Sequence, residues 1–388
     1  MYKFPLDKHK IILYNYKINC LSSSDSLRHQ VRVTKMINVA VVGFGVVGSG
    51  VVELLDKNNR LFSKKLGQDI SCKYILDIRK FPDSPYASKF VSDFSVIEND
   101  PEINIVVETV GGATFAYEYT KRALSAGKHV VTSNKELVAK HAPELLALAR
   151  QNKVCYLFEA SVGGGIPIIN PMYHCLAANE LNKIVGIMNG TTNYILTKMI
   201  KEGVSFDSAL KQAQLLGYAE KDPSADVDGI DTGRKICILA SLAFGRHIYP
   251  ENVMTKGIRG ISLEDIYDAD RQGMVVKLLG YAEKKDDGCV DIFVSPCAIP
   301  KDHPLANIED VFNGITVTGD AIGDCTFYGK GAGKMPTASA VGADIIDCIK
   351  GTEKSSLYWV DADNSEFVRS FDKLDLQYFK NDIVLLKE

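Results

Sequence analysis

Apolar and polar positions follow two rhythms along the first part of the chain beyond residue 36. Ile37-Asn38-Val39-Ala40-Val41-Val42 is a short apolar run of the kind a buried strand presents, and it ends in Gly43-Phe44-Gly45-Val46-Val47-Gly48. After that turn, Val51, Val52, Leu54 and Leu55 recur at helical spacing. Further strand-like runs occupy 72–78, 103–107, 130–132 and 154–158, with helical stretches near 117–125 and 143–152 between the later ones. Strands alternating with helices predict a parallel sheet covered on its faces, an α/β domain of the Rossmann type.

The rhythm changes after about residue 161. A glycine run, Gly163-Gly164-Gly165, leads to longer helical patterns near 195–203, 206–217 and 231–244, and strand-like segments return at 291–294 and 315–318. This predicts a second, α+β domain for dimerisation, its sheet completed by another subunit. A helix near 338–349 is expected to return to the first domain. The resulting division is a leader over 1–35, a dinucleotide-binding domain over 36–160, a catalytic domain over 161–325, a return segment over 326–350 and a tail over 351–388.

Composition narrows the class. With 388 residues, 46% of them hydrophobic and 24% charged, the chain can bury two cores and is not of disordered type. It contains no apolar run of the roughly 18 residues that a membrane span needs. The net charge of -3 gives no basic footprint for nucleic acid. That total is uneven: residues 1–35 hold seven Lys and Arg against Asp7 and Asp25, about +5, which leaves the rest near -8. A basic, Ser-containing, acid-poor leader fits a transit peptide or upstream sequence carried by an early start codon, and Met36, directly before the first strand, favours the second. Nine dispersed cysteines without a CxxC pair point to reduced thiols and a cytoplasmic setting. No HxxxH or HExxH occurs either, so a zinc site is not expected; a transition-metal site would have to be assembled from long-range contacts.

Two motifs carry chemistry. Gly43-x-Gly45-x-x-Gly48, between a strand and a helix, suits a pyrophosphate at a helix N-terminus. At the end of the second strand, Asp77 could accept from a ribose 2′-hydroxyl, whereas Arg79 and Lys80 could meet a 2′-phosphate, so NAD and NADP both stay open. The second motif lies in Ala213 to Lys235. Asp231 and Lys235 are four apart and share one face of a largely apolar helix, where desolvation would bring the lysine toward a pKa useful for proton transfer. Glu220, with Asp231, could bind a substrate ammonium group, and Asp226 or Asp228 could orient the loop; the acidic spacing does not fit an EF-hand.

The segment Ala213 to Lys235, which contains Gly217-Tyr218-Ala219-Glu220-Lys221-Asp222-Pro223, resembles the signature of homoserine dehydrogenases throughout. Similar likeness extends through Gly43 to Gly50, Thr132 to Lys135, Glu159 to Pro167, Asn189 to Tyr194 and Phe327 to Gly333, covering roughly residues 36–350. The resemblance implies NAD(P)-dependent interconversion of L-aspartate 4-semialdehyde and L-homoserine, toward threonine and methionine, by a homodimer. It implies Lys235 as proton donor and acceptor, Glu220, Asp231 and Lys135 at the amino-acid substrate, and Gly43, Phe44, Gly45, Val46, Val47, Gly48, Thr109, Lys135, Gly217 and Gly331 at the cofactor. It also implies a monovalent cation such as sodium held by the Glu159 carboxylate and the carbonyls of Val162, Gly164 and Ile166. A tail of 38 residues is too short for the amino-acid-binding regulatory (ACT) domain many members carry, so a short form is expected. The competing readings are a reductase of another small amino-acid aldehyde and a non-catalytic nucleotide sensor; Glu220, Asp231 and Lys235 together argue against the sensor.

Overall fold

The computed structural model describes residues 36–351, 359–370 and 383–386; the basic leader and part of the tail lie outside the described residues. The chain opens with β1 (Ile37–Val42), α1 (Val46–Lys57), α2 (Asn59–Leu66), β2 (Ile70–Leu76), β3 (Phe90–Val91), α3 (Phe94–Glu98), β4 (Ile103–Glu108), α4 (Thr114–Ser125), β5 (His129–Thr132), α5 (Lys135–Gln151) and β6 (Tyr156–Leu157). These strands form one parallel sheet in the order β3-β2-β1-β4-β5-β6. The order reverses between β1 and β4, which opens a crevice at the carboxyl ends of those two strands.

The central strands are buried on both faces. Val39, Val41, Ile105, Val107, Val130 and Val131 are all fully enclosed, which explains why they read as continuous apolar runs. The expected helix near 143–152 in fact starts at Lys135 and runs through Pro143. Asn134 makes the early start possible, because its side-chain oxygen accepts from Leu137 N at 3.0 Å. Pro143 cannot donate to the Ala139 carbonyl four residues back. That carbonyl instead accepts from His247 Nε2 at 3.0 Å, while Trp359 Nε1 donates to His247 Nδ1 at 2.9 Å. The two bonds fix the imidazole in its Nε2–H tautomer.

The remaining elements are β7 (Leu181–Ile187), α6 (Gly190–Glu202), α7 (Phe206–Leu215), α8 (Ser224–Val227), α9 (Ile230–Phe244), β8 (Met254–Thr255), α10 (Leu263–Arg271), β9 (Met274–Lys284), β10 (Val290–Pro300), β11 (Phe312–Gly319), β12 (Gly323–Lys330), α11 (Lys334–Ile349), α12 (Asn364–Phe367) and β13 (Val384–Leu385). The second sheet runs β12-β11-β7-β9-β10-β13, with β8 alongside β10. Helix α9 packs on β7 and β9 and also reaches α5, so it joins the second sheet to the first domain. Helix α11 packs against α1, with Lys334 Nζ on Glu53 Oε1 at 2.5 Å at one end.

Candidate active site

The turn after β1 is built for close approach. Gly43 has φ +93°, and a Cβ on Gly48 would stand 1.9 Å from the Gly43 carbonyl oxygen, so neither position admits a side chain. At Gly45 a Cβ would meet nothing within 4 Å. Gly45 is the N-cap of α1 and offers no capping side chain, so the first amides of a twelve-residue helix face the crevice without an internal acceptor. Val46 is largely exposed beside it, and Val47 packs against the core. A pyrophosphate fits this cradle in charge and in space.

Thr109 closes the base of the crevice. Its Oγ1 donates to the Gly43 carbonyl at 2.8 Å and to the Val42 carbonyl at 3.0 Å. The resulting cleft, of about 340 Å³, is lined by Gly43, Gly45, Asp77, Arg79, Thr109 and Phe115 among others. Asp77 is not idle there. It accepts from Phe44 N at 2.7 Å and pairs bidentately with Arg79 Nε and Nη2 at 3.0 and 2.9 Å. The Arg79 guanidinium holds the Asp77 carboxyl down at about 2. Phe44 therefore spends its amide on Asp77, and its ring packs edge-on against Phe81 and Phe90.

A second cleft, of about 490 Å³, shares Thr109, Val110 and Gly111 with the first. Its other wall carries Lys135, Glu220, Asp222, Asp226, Asp231 and Arg234. Asn134 stiffens the shared edge by donating from Nδ2 to the Val110 and Gly112 carbonyls at 2.9 and 2.7 Å. Glu108, just before Thr109, is fully buried. It accepts from Val110 N and from Thr132 Oγ1, both at 2.6 Å, and burial pushes its carboxyl up to about 7.

Asp231 and Lys235 stand on the first turns of α9, and both are buried. Lys235 Nζ donates to Asp231 Oδ2 and to the Met188 carbonyl, each at 2.7 Å. Lys135, from the start of α5, pairs with Asp231 Oδ1, so one carboxylate bridges two ammonium groups. Burial pushes the Lys235 pKa down and the Lys135 charge adds to this, while Asp231 opposes both. Burial would raise the Asp231 carboxyl, but the two lysines outweigh it and hold it well below the ordinary range. Asn189 completes the floor, donating from Nδ2 to Asp226 Oδ1 at 2.7 Å and to Asp231 Oδ2 at 2.9 Å. Asp228 turns away and pairs with Arg259.

The structure thus brings Lys135, Asp231 and Glu220 to one cleft, with Lys235 buried directly behind Asp231, and the glycine turn with Thr109 to its neighbour. Gly217 and Gly331 line neither. Gly217 ends α7 in a left-handed conformation at φ +76°. Gly331 is glycine because a Cβ would collide with the Asn313 side chain, 1.9 Å away. Glu159 lies apart as well: its Oε1 accepts from Ile168 N and Ile169 N and its Oε2 from Asn170 N, while Val162, Gly164 and Ile166 form the adjoining turn. Glu108 and Asn189 have roles that residue type alone did not reveal. For Asn189 a signal existed, since Asn before Gly-Thr-Thr is a helix N-cap pattern.

Comparison with known proteins agrees with this geometry. Residues 43–159 match the model of the NAD-binding domain of homoserine dehydrogenase, and residues 167–346 match that of homoserine dehydrogenase itself. The homoserine dehydrogenase of Synechocystis is 46% identical over 321 residues, 81% of this chain and 73% of the relative; that of Bacillus subtilis is 41% identical with the same coverage. Among solved structures, a homoserine dehydrogenase from Thiobacillus denitrificans superposes with a TM-score of 0.81 at 36% identity, covering 88% of this chain and 81% of that one. A hyperthermophilic archaeal homoserine dehydrogenase in complex with NADPH superposes with a TM-score of 0.69 at 30% identity, covering 81% and 97%.

Proposed function

The chain belongs to the homoserine dehydrogenase family, and from that membership we propose how its residues divide the work. It is an NAD(P)-dependent oxidoreductase acting on a CH–OH group, with L-homoserine and L-aspartate 4-semialdehyde as substrates. The nicotinamide cofactor, when bound, supplies or takes up the hydride. The glycine turn and the amides of α1 hold its pyrophosphate.

Lys235 moves the proton. In the reducing direction its ammonium gives a proton to the oxygen of the aldehyde as the carbon receives hydride, and in the oxidising direction its neutral amine takes the hydroxyl proton. The observation that carries this role is the ion-pair chain Lys135–Asp231–Lys235, which leads from the wall of the second cleft, where Lys135 and Asp231 stand, to the buried Lys235 behind them. Asp231 anchors the lysine at a fixed distance, and the Met188 carbonyl holds a second of its three protons. Glu220, on the rim, suits the substrate ammonium. Replacing Lys235 with Ala and measuring semialdehyde reduction beside NADPH binding tests the assignment: turnover should collapse while binding persists, and retained turnover would remove Lys235 from the mechanism.

We further propose that NADP(H) is accepted, with Arg79 meeting the 2′-phosphate. Its guanidinium side chain is 58% exposed at the mouth of the first cleft, and Asp77 tethers it without covering it. For a monovalent cation, Glu159 can add one lone pair on Oε2 to the carbonyls of Val162, Gly164 and Ile166, since its other acceptor positions are taken. Assays with sodium replaced by tetramethylammonium test it; an unchanged rate and KM would dismiss the site. A homodimer paired through the second sheet is supported by β12, an edge strand whose Tyr328 is well exposed, and light scattering decides it. A cytoplasmic place in threonine and methionine formation is in keeping with eight free thiols among the described residues, where no helix is long and apolar enough to cross a membrane.

A further inference from the structure

No short motif announces a metal, yet the fold gathers His129, Cys155 and Cys348 from three distant parts of the chain. Their ligand atoms all lie within 4.8 Å of one another, and among the described residues no other group of three His, Cys, Asp or Glu side chains converges in this way. His129 opens β5, Cys155 immediately precedes β6, and Cys348 sits in the last turn of α11. Strands β5 and β6 pair with Val130 opposite Tyr156, so the sheet itself sets His129 beside Cys155.

Three observations favour a cation over a pair of idle thiols. The Cys155 amide donates to His129 Nδ1 at 3.0 Å, so that nitrogen carries no proton, and a metal would take its lone pair in exchange for this one hydrogen bond. The surroundings are acidic. Cys155 lines a cavity of about 30 Å³ together with Glu159, Asp344 and Asp347, and neither Lys nor Arg lines it. Carboxyl groups with neither Lys nor Arg among them are a setting that a divalent cation suits. Finally, both cysteines are buried, so neither is an incidental surface thiol.

We infer that His129, Cys155 and Cys348 form a structural site for one soft divalent cation of the zinc type. Two thiolates and one imidazole are a ligand set such ions take, with metal–sulfur bonds of about 2.3 Å and metal–nitrogen bonds of about 2.0 Å. In a tetrahedron of those bonds the ligand atoms stand roughly 3.5–3.8 Å apart, so the cluster needs to close by only about 1 Å. Binding releases the two thiol protons, the metal takes over the Nδ1 lone pair, and the dication with two thiolates leaves no net charge. Three protein ligands leave a fourth position for water, which the cavity beside Cys155 can supply. The site ties the edge of the parallel sheet to the returning helix. It lies at the far end of β5 from Lys135, so it holds the scaffold and touches no substrate.

The test uses the full chain, reduced, stripped with chelator and titrated with Co²⁺. About one cobalt per chain is expected, with a thiolate-to-cobalt charge-transfer band in the near ultraviolet that Zn²⁺ displaces and that Cys348→Ser abolishes. Zn²⁺ should also raise the Tm without changing the rate of semialdehyde reduction at saturation. In the unsubstituted chain, Zn²⁺ should slow iodoacetamide labelling of Cys155 and Cys348 and of no other cysteine, a readout independent of how the variant folds. Absence of the band, its persistence in Cys348→Ser, or equal labelling with and without Zn²⁺ would overturn the site.

Discussion

Two aspartate–cation pairs, one in each cleft, show how burial changes what the same chemical unit does. At Asp77 the partner Arg79 is more than half exposed, so water and salt screen the pair and leave the guanidinium free to meet a phosphate. At Asp231 the partner Lys235 is buried, and its carboxylate is shared with Lys135 and Asn189. There the pair cannot be screened. It sets the proton affinity of the lysine and cannot lose one member without leaving a charge stranded. One region is arranged for recognition from water, the other for a reaction away from it.

The contrast breaks most visibly at Lys235. Lys235→Ala should lower kcat by roughly 10²–10⁴-fold with NADPH affinity unchanged, as measured by steady-state kinetics and fluorescence titration. Asp231→Asn comes next. It strips the buried Lys235 ammonium of its paired carboxylate beside Lys135 and should cost about 3–5 kcal/mol in urea unfolding, as well as most of the activity. Arg79→Ala should raise the KM for NADPH by roughly 10-fold and leave that for NADH nearly unchanged. An equal rise for both cofactors would place the 2′-phosphate elsewhere.

Smaller effects sharpen the same comparison through salt and pH. Added salt should weaken NADPH binding at Arg79 and leave saturated turnover alone. The pH profile should report Lys235. Its pKa lies below the ordinary lysine value, so semialdehyde reduction, which needs the ammonium, falls as pH rises through that depressed value, and homoserine oxidation rises through it. Stability has its own window. Burial lowers His247 to about 4, below its unfolded value near 6.5, so the native state binds fewer protons between the two and loses stability as pH falls across that range. Trp359→Phe removes one bond that makes the imidazole an acceptor, and urea titrations from pH 7 to 4 should then show a shallower loss.

Much of this was legible in the sequence because it rests on local pattern. The strand–glycine turn–helix unit is local, and so is the spacing of Asp231 and Lys235. Strands β7 and β9 were not foreseen. Strand β9 contains Leu278, Leu279, Ala282, Glu283 and Lys284, residues common in helices, and it carries Lys277 in its middle. That lysine is 1% exposed and donates to the Ile308 carbonyl at 2.5 Å, a partner 31 residues away that no pattern of neighbours discloses. Glu108 escaped for a related reason: a lone carboxylate after an apolar strand reads as a strand end in water, and only the pairing of β4 with β5 sets Thr132 against it. Pro143 misplaced the start of α5, since the acceptor it frees is satisfied from α9's far side by His247.

Asn189 also places a chemically labile bond beside the active site. It precedes Gly190, and a glycine there leaves the backbone nitrogen least hindered for attack on the side-chain amide, the route by which asparagine loses ammonia. The amide nitrogen that would depart is the one donating to both Asp226 and Asp231. Its loss, followed by water opening the cyclic imide, would set a third carboxylate against two others and withdraw the donor that keeps them together. Aged enzyme would then lose activity while its fold persisted, and the lesion would appear as a gain of one mass unit in the peptide that spans Asn189.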